Sequence, residues 1–429
     1  MQLRRPYRLV ALVACAAMLA GACGDSDDTA AGGTTTATSA AGATAATGEA
    51  TATSVGAGTP AAAGAGGYAV PPSSAGGTTG STAAGAGGQA GSLAEVDPQR
   101  CQANRDAGTI TFPTAFSYAA AVSILDPVVA DAQGFFSDVC LDVDIIPSFA
   151  GQAAAAMASG QAQIGEIGSF GEMVTLNLRS DTDFVAVAQY GKTAVQALVV
   201  PAEAGVTDLA ELQGRTIGIK TDLPSPVQVM LARAGVERGQ FDELLLEGFD
   251  PIAHLELGID ALPVYKSNEP MTLDAAGVAY ELFDPLDFDV PASFGVVYTT
   301  VGFLSEHPTV VEDFVRAAFR GFQFAVENPT EAVAAAVELI NTPESNFAST
   351  QEAEEFRWIT ESGIVVDSTP PGQGVGIIDP ELASREVQSL VDVGLLDELP
   401  DLGPMMDVDL AAGLYDGDQL LWPGSGPGS

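Results

Sequence analysis

Cationic side chains are scarce in this chain of 429 residues: 16 Lys and Arg stand against 56 Asp and Glu, a formal net charge of −40. A surface of that sign repels phosphate backbones, which argues against a nucleic-acid partner. The acids are scattered rather than clustered and read as a solvated surface; an acidic docking face for a protein partner is the sharper alternative. Histidine is rarer still. His254 and His307 are far apart, and only four cysteines occur, so no metal-ligand spacing is present and no cofactor is expected. No nucleophile–base pair stands out either. The N-terminal apolar run Leu9–Ala22 has 14 residues, short of the about 20 that a membrane-spanning helix needs.

That run follows Arg4, Arg5 and Arg8 and reads as an export signal over residues 1–22. It ends "LAGAC", small residues leading into Cys23, and resembles a bacterial lipoprotein signal. The resemblance implies cleavage before Cys23 and lipidation of its sulfur, with the protein held at the outer face of the cell membrane. Leu19 departs from the usual pattern by one position, and the Arg4–Arg5 pair leaves both general and twin-arginine export open. Residues 23–97 are mostly Ala, Gly, Thr and Ser, with Tyr68 the single aromatic. Such a segment buries too little surface to offset its ordering entropy, and reads as a disordered tether. Its reach is on the order of 45 Å. Cys15 and Cys23 belong to the signal region, which leaves Cys101 and Cys140 in an exported domain, a pattern that predicts one disulfide.

From residue 98 onward strand-like and helix-like runs alternate. "TITFPTAF", "LDVDIIPSF" and "AQIGEIG" are separated by "SILDPVVADAQGFF" and the alanine-rich "GQAAAAMASG". "RTIGIK", "IDALPVY" and "YELFDP" belong to a second such unit. The run ending "PTVVEDFVRAAFRGFQFAVENP" carries a long helix whose buried face includes Phe314, Ala317, Ala318, Phe319, Gly321 and Phe322. Alternation with short connections predicts an α/β fold with mostly parallel sheets covered on both faces.

"AQGFFSDVCLDVDIIPSFAGQAAAAMASGQAQIGEIG", "DLAELQGRTIGIK" and "FLSEHPTVVEDFVRAAFRG" resemble the substrate-binding proteins of ABC importers. The similar group is the one related to the fungal thiamine-pyrimidine synthases, which includes SsuA-like sulfonate, taurine and nitrate binders. "FDP" followed by "YKSNEP" further resembles the subgroup that binds formylaminopyrimidine or riboflavin. The resemblance runs from Thr109 to at least Ala336. It implies a two-lobed periplasmic-binding-protein type II fold with two crossovers, near Tyr190–Ala197 and Pro291–Tyr298. The substrate-binding domain is then 98–429, with lobe one about 107–193 and 297–429 and lobe two about 198–292. It also implies a monomer that hands a small molecule to an ABC permease and its ATPase. The fungal relatives are enzymes that use pyridoxal phosphate, iron and a cysteine cluster. With only Cys101 and Cys140 in the folded part, the reading here is a binding protein rather than an enzyme.

In open α/β sheets, ligands lie beyond the carboxyl ends of strands, where helix N-termini present their N–H groups. That rule selects Ser117, Tyr118, Gly151, Gln152, Ser169 and Phe170 in lobe one. In lobe two it selects Thr221, Asp222, Tyr265, Asn268 and Glu269. Tyr118, Tyr265 and Tyr298 are the candidates for stacking on a flat ring. Glu269 has two readings, a ligand contact or an acid that complements the dipole of its helix; Asn268 or Ser267 is a candidate cap. The strand-end positions offer no arginine, only Lys192, Lys220 and Lys266. This favours an aminopyrimidine-like or flavin-like heterocycle over an oxyanion such as sulfonate, taurine or nitrate.

Overall fold

Strand β1 (Thr109–Pro113) pairs in parallel with β2 (Asp142–Ile146) and begins the first lobe. The computed structural model describes residues 96–422 apart from Thr221 and Asn346; residues 1–95, with Cys23, and Thr221 lie outside the described residues. β3 (Ile164–Ile167) joins β1 through the Gln163 N–H on the Thr111 carbonyl, at 3.2 Å. β4 (Phe184–Gly191) then ends the first passage through lobe one. The chain crosses at residues 192–195 and enters β5 (Gln196–Pro201). Lobe two adds β6 (Thr216–Ile219), β7 (Asp242–Leu245), β8 (Leu262–Tyr265) and β9 (Tyr280–Phe283). A second crossing returns the chain as β10 (Phe294–Thr300), which inserts antiparallel between β3 and β4.

The two sheets repeat one plan. Lobe one runs β2-β1-β3-β10-β4. Lobe two runs β7-β6-β8-β5-β9, with β6 joined to β8 through the parallel bridge Ile217↔Ala261. In each sheet the antiparallel strand is the one by which the chain arrives from the other lobe. The sheets are otherwise parallel, so the carboxyl ends of β1, β2 and β3 and those of β6, β7 and β8 form the facing edges of the lobes.

Helices cover both faces of each sheet. In lobe one, Phe112, Phe136, Phe314, Phe319, Phe322 and Trp358 pack on one side, and Met157, Phe170, Met173, Phe184 and Tyr298 on the other. Burying each such side chain contributes about 1.5–3 kcal/mol. The helix Pro308–Glu327 buries Phe314, Ala317, Ala318, Phe319, Gly321 and Phe322. Gly321 is required there, because a Cβ would lie 2.1 Å from the Asp126 carbonyl oxygen. The helix Pro380–Asp392 serves both lobes: Ala383 and Val387 join the core of lobe one, and Leu390 that of lobe two.

The helix Pro98–Asp106 buries only Cys101 and Asn104 and is held by polar and covalent links. Asp97 caps it by accepting from the N–H groups of Gln99 and Arg100. Arg100 grips Asp313 with two bonds of 2.7 and 2.8 Å, and Asn104 adds a third to the same carboxylate. Cys101 is disulfide-bonded to Cys140, 39 positions later in the sequence, with Cα atoms 5.2 Å apart. In the chain-entropy model a loop of that size contributes about 3–4 kcal/mol. Replacing both cysteines by serine should lower the urea unfolding free energy by about that amount; a change below about 1 kcal/mol would show that the helix is held by Arg100 and Asn104 alone.

Candidate functional site

The loop after β1 sits at the facing edge of lobe one and is pinned by three carboxylates. The Ala115 N–H donates to Glu166, the Ala120 N–H to Glu354 at 2.7 Å, and the Val122 N–H to Glu361 at 2.8 Å. Ser123 donates to the second oxygen of Glu166 at 3.2 Å. These bonds hold Ser117 and Ser123 at φ of 42° and 71°, a left-handed backbone that costs a non-glycine residue on the order of 1–3 kcal/mol. Desolvation raises Glu166 to about 7, although the Ala115 N–H and Ser123 hydroxyl pull the other way. It also raises Glu361, with partial relief from Arg357.

Glu354, Arg357 and Glu361 come from one face of the helix Gln351–Ser368, with Trp358 and Val365 buried in the core of lobe one. The polar face reaches lobe two as well. Ser267 donates to Glu361 at 2.6 Å, and Arg357 donates to the Asn268 side chain at 3.1 Å. Arg357 also lies 3.3 Å from Glu354. This helix therefore touches both lobes where they face each other.

On the side of lobe two, Glu269 is 1% exposed, and both its oxygens are engaged. One pairs with Lys220, and the other accepts the Tyr265 N–H at 2.9 Å. Tyr265 is 44% exposed, yet its hydroxyl end is enclosed. Desolvation raises its pKa, and so does the Glu172 carboxylate of lobe one, while a hydrogen bond with the Gln196 side chain offsets part of the rise. The ring face is thus open while the polar tip is committed.

Four phenylalanines form a rim over these groups. Phe116 and Phe149 follow β1 and β2, Phe249 follows β7, and Phe347 precedes the helix Gln351–Ser368. Phe116 lies 5.9, 6.1 and 5.4 Å, centroid to centroid, from Phe149, Phe249 and Phe347. Phe249 and Phe347 are 5.7 Å apart, and the Lys220 ammonium lies 5.6 Å from the centre of the Phe249 ring. The rim joins both lobes and the C-terminal segment. A concavity of about 280 Å³ beside Pro370 and Tyr415 includes none of these strand-end residues.

The residues selected from the sequence separate into groups. Tyr265, Asn268 and Glu269 stand together at the facing edge of lobe two. Neither Glu269 oxygen is spare, and Asn268 makes no side-chain cap. Ser117 is buried and donates to the Ser345 carbonyl at 2.8 Å. Tyr118 donates to Ile145 O, and Ser169 caps the helix Phe170–Ser180 by accepting from the Glu172 N–H. Gly151 and Gln152 are exposed at a helix start. Asp222 pairs with Arg238 at 2.8 Å. Phe170 and Tyr298 point into the core of lobe one, where Tyr298 packs 4.9 Å from Phe184. The cations are engaged too: Lys192 with Ile377 O and Lys266 with Asp284. Sequence reasoning missed Arg357, Gln196, the three helix and strand acids, and the phenylalanine rim.

The family model for NMT1/THI5-like proteins matches residues 123–332. The formylaminopyrimidine-binding protein of Halalkalibacterium halodurans is 30% identical over 233 residues, covering 53% of this chain and 69% of that protein. The alkanesulfonate-binding protein SsuA of Xanthomonas axonopodis pv. citri, solved with MOPS, superposes with a TM-score of 0.52 at 12% identity, over 70% of this chain and 98% of its own. The ligand-binding component of an ABC-type import system from Staphylococcus aureus gives 0.52 at 12% identity, over 71% and 97%. These structures share the two-lobed periplasmic-binding-protein fold.

Two measurements probe the site's electrostatics. Burial raises Glu166, Glu386 and Asp126 to about 7, so between about pH 4.5 and 7 the folded chain holds protons that the unfolded chain releases. Stability should therefore be greatest below that window and fall as pH rises through 7. Glu166→Gln should reduce the drop between pH 5.5 and 8 by about 1–2 kcal/mol; an unchanged slope would mean that Glu166 is ionised at little cost. Separately, Glu269→Gln leaves Lys220 without its counter-charge and should cost about 1–3 kcal/mol. Adding Lys220→Met should recover part of that loss in a double-mutant cycle, and strictly additive losses would dismiss the pair as a coupled unit.

Proposed function

This chain belongs to the NMT1/THI5-like family, and from that premise we propose that it captures a small, flat, amino-substituted heterocycle between its two lobes and delivers it to an importer. The observation that carries the ligand class is the charge of the facing edges. Glu166, Glu172, Glu354, Glu361 and Glu269 stand there, while Lys192, Lys220, Lys266 and Arg357 are each engaged by a carboxylate, carbonyl or amide oxygen. An oxyanion would meet the repulsion of those carboxylates; a ring bearing N–H groups needs acceptors and an aromatic face, which the acids, Tyr265 and the phenylalanine rim supply. The binding activity named for the Halalkalibacterium relative supports the aminopyrimidine class, and riboflavin is a second heterocycle of compatible chemistry.

In this reading the protein is exported and held at the outer face of the membrane by a lipid on Cys23, works as a monomer, and has an ABC permease and its ATPase as partners. Among the described residues no helix is long and apolar enough to cross a membrane. Its role is binding, with no bond made or broken. The alternative ligand class is sulfonate or taurine, the class named for the Xanthomonas neighbour.

Calorimetric titration of the full chain with formylaminopyrimidine, riboflavin and taurine separates these readings. One heterocycle should bind one-to-one with a Kd of about 1 μM or tighter, and taurine should give no heat. Tight taurine binding would overturn the ligand class.

A further inference from the structure

Gln196 is the first residue of lobe two after the crossing, and it pairs in register with Tyr265 of β8. Directly opposed residues of an antiparallel ladder project from the same face of the sheet. The tip of Tyr265 comes near Glu172 of lobe one, so the face shared by Tyr265 and Gln196 is turned toward the opposite lobe. Gln196 is 4% exposed, and its side chain lies close enough to the Tyr265 hydroxyl to pull that group's pKa down. Its carbonyl oxygen Oε1 has no hydrogen-bond partner among the described protein groups. A buried amide carbonyl is disfavoured unless a donor is brought to it.

We infer that Gln196 is a specificity-determining residue whose Oε1 accepts a hydrogen bond from an N–H on the ring edge of the captured solute, while the open face of Tyr265 lies along the ring. The inference rests on the proposed capture of an amino-substituted heterocycle and names the residue that distinguishes it from its analogues. A ring with C–H in place of the amino group leaves Oε1 unpaired inside the cleft. A ring with a carbonyl there sets two acceptors against each other. Discrimination of this kind comes from the penalty on the wrong solute.

The test pairs a protein change with a ligand change. Full-length protein and its Gln196→Met variant, similar in size but lacking the acceptor, are titrated with formylaminopyrimidine and with the analogue whose ring amino group is replaced by hydrogen. The native protein should prefer the amino compound by about 10- to 100-fold. Gln196→Met should lose about that factor for the amino compound and stay within about threefold for the analogue, with an unchanged melting temperature as the control for folding. Equal losses for both compounds, or no loss for either, would overturn the assignment of Gln196 while leaving the binding function standing. Failure of the native protein to bind either pyrimidine would overturn the functional reading and this assignment with it.

Discussion

Glu361 is the residue on which the facing of the two lobes depends. One oxygen takes the Val122 N–H of lobe one, and the other takes the Ser267 hydroxyl of lobe two. Bonds to both oxygens offset part of the desolvation cost of this buried carboxylate, while removal of either partner leaves a charge in low dielectric. The same helix supplies Glu354 to the Ala120 N–H and Arg357 to Asn268. Directional bonds from one rigid helix therefore set the geometry between the edges, whereas the apolar cores of the lobes remain mostly separate clusters. That arrangement suits a cleft. Apolar contact is tolerant of sliding, but three charged side chains at fixed helical spacing accept one register.

The acids of the facing edges are held mainly by backbone N–H and hydroxyl groups, with Arg357 and Lys220 as the cations that approach them. Backbone donors orient a carboxylate without cancelling its charge, which is why burial still raises Glu166 and Glu361. The residual mismatch is an incentive for donors. In the proposed reading a solute that presents N–H groups lowers that mismatch and meets the unpartnered Gln196 Oε1, so binding energy and relief of buried charge come from the same edge. An anionic solute adds to the mismatch instead.

Much of the fold was legible because strand and helix periodicities alternate cleanly up to Pro329. β7 was not. All four of its residues are exposed at the edge of the sheet, so no alternation marks it. The helix Gln351–Ser368 is also hard to read from sequence, because Glu354 and Glu361 occupy buried positions where a helical pattern expects apolar residues. With that helix went Arg357, the arginine absent from the strand-end positions. The rule that ligands lie beyond strand ends picked Tyr265, Asn268 and Glu269, which stand together at the facing edge of lobe two, but it cannot tell a wall from a core: Phe170 fell inside, as did the stacking candidate Tyr298. The two readings of Glu269 omitted a third, its pairing with Lys220 49 residues earlier. That contact depends on β6 and β8 being neighbours and leaves no local trace.

The phenylalanine rim and the polar floor meet at Lys220. Its ammonium pairs with Glu269 and lies against the Phe249 ring. A ring over a cation attracts it through the negative face of the quadrupole. Excluding water lowers the local dielectric, which strengthens each hydrogen bond of the floor and raises the penalty for any left unmade. The rim therefore does more than cover the cleft. In the proposed reading it sharpens the choice among solutes once a bound solute completes the cover, since selectivity by unpaired acceptors has force only where water cannot substitute for the missing donor. In the proposed reading, polar recognition at Gln196 and Tyr265 and aromatic cover by Phe116, Phe149, Phe249 and Phe347 are two halves of one device, coupled through a single lysine.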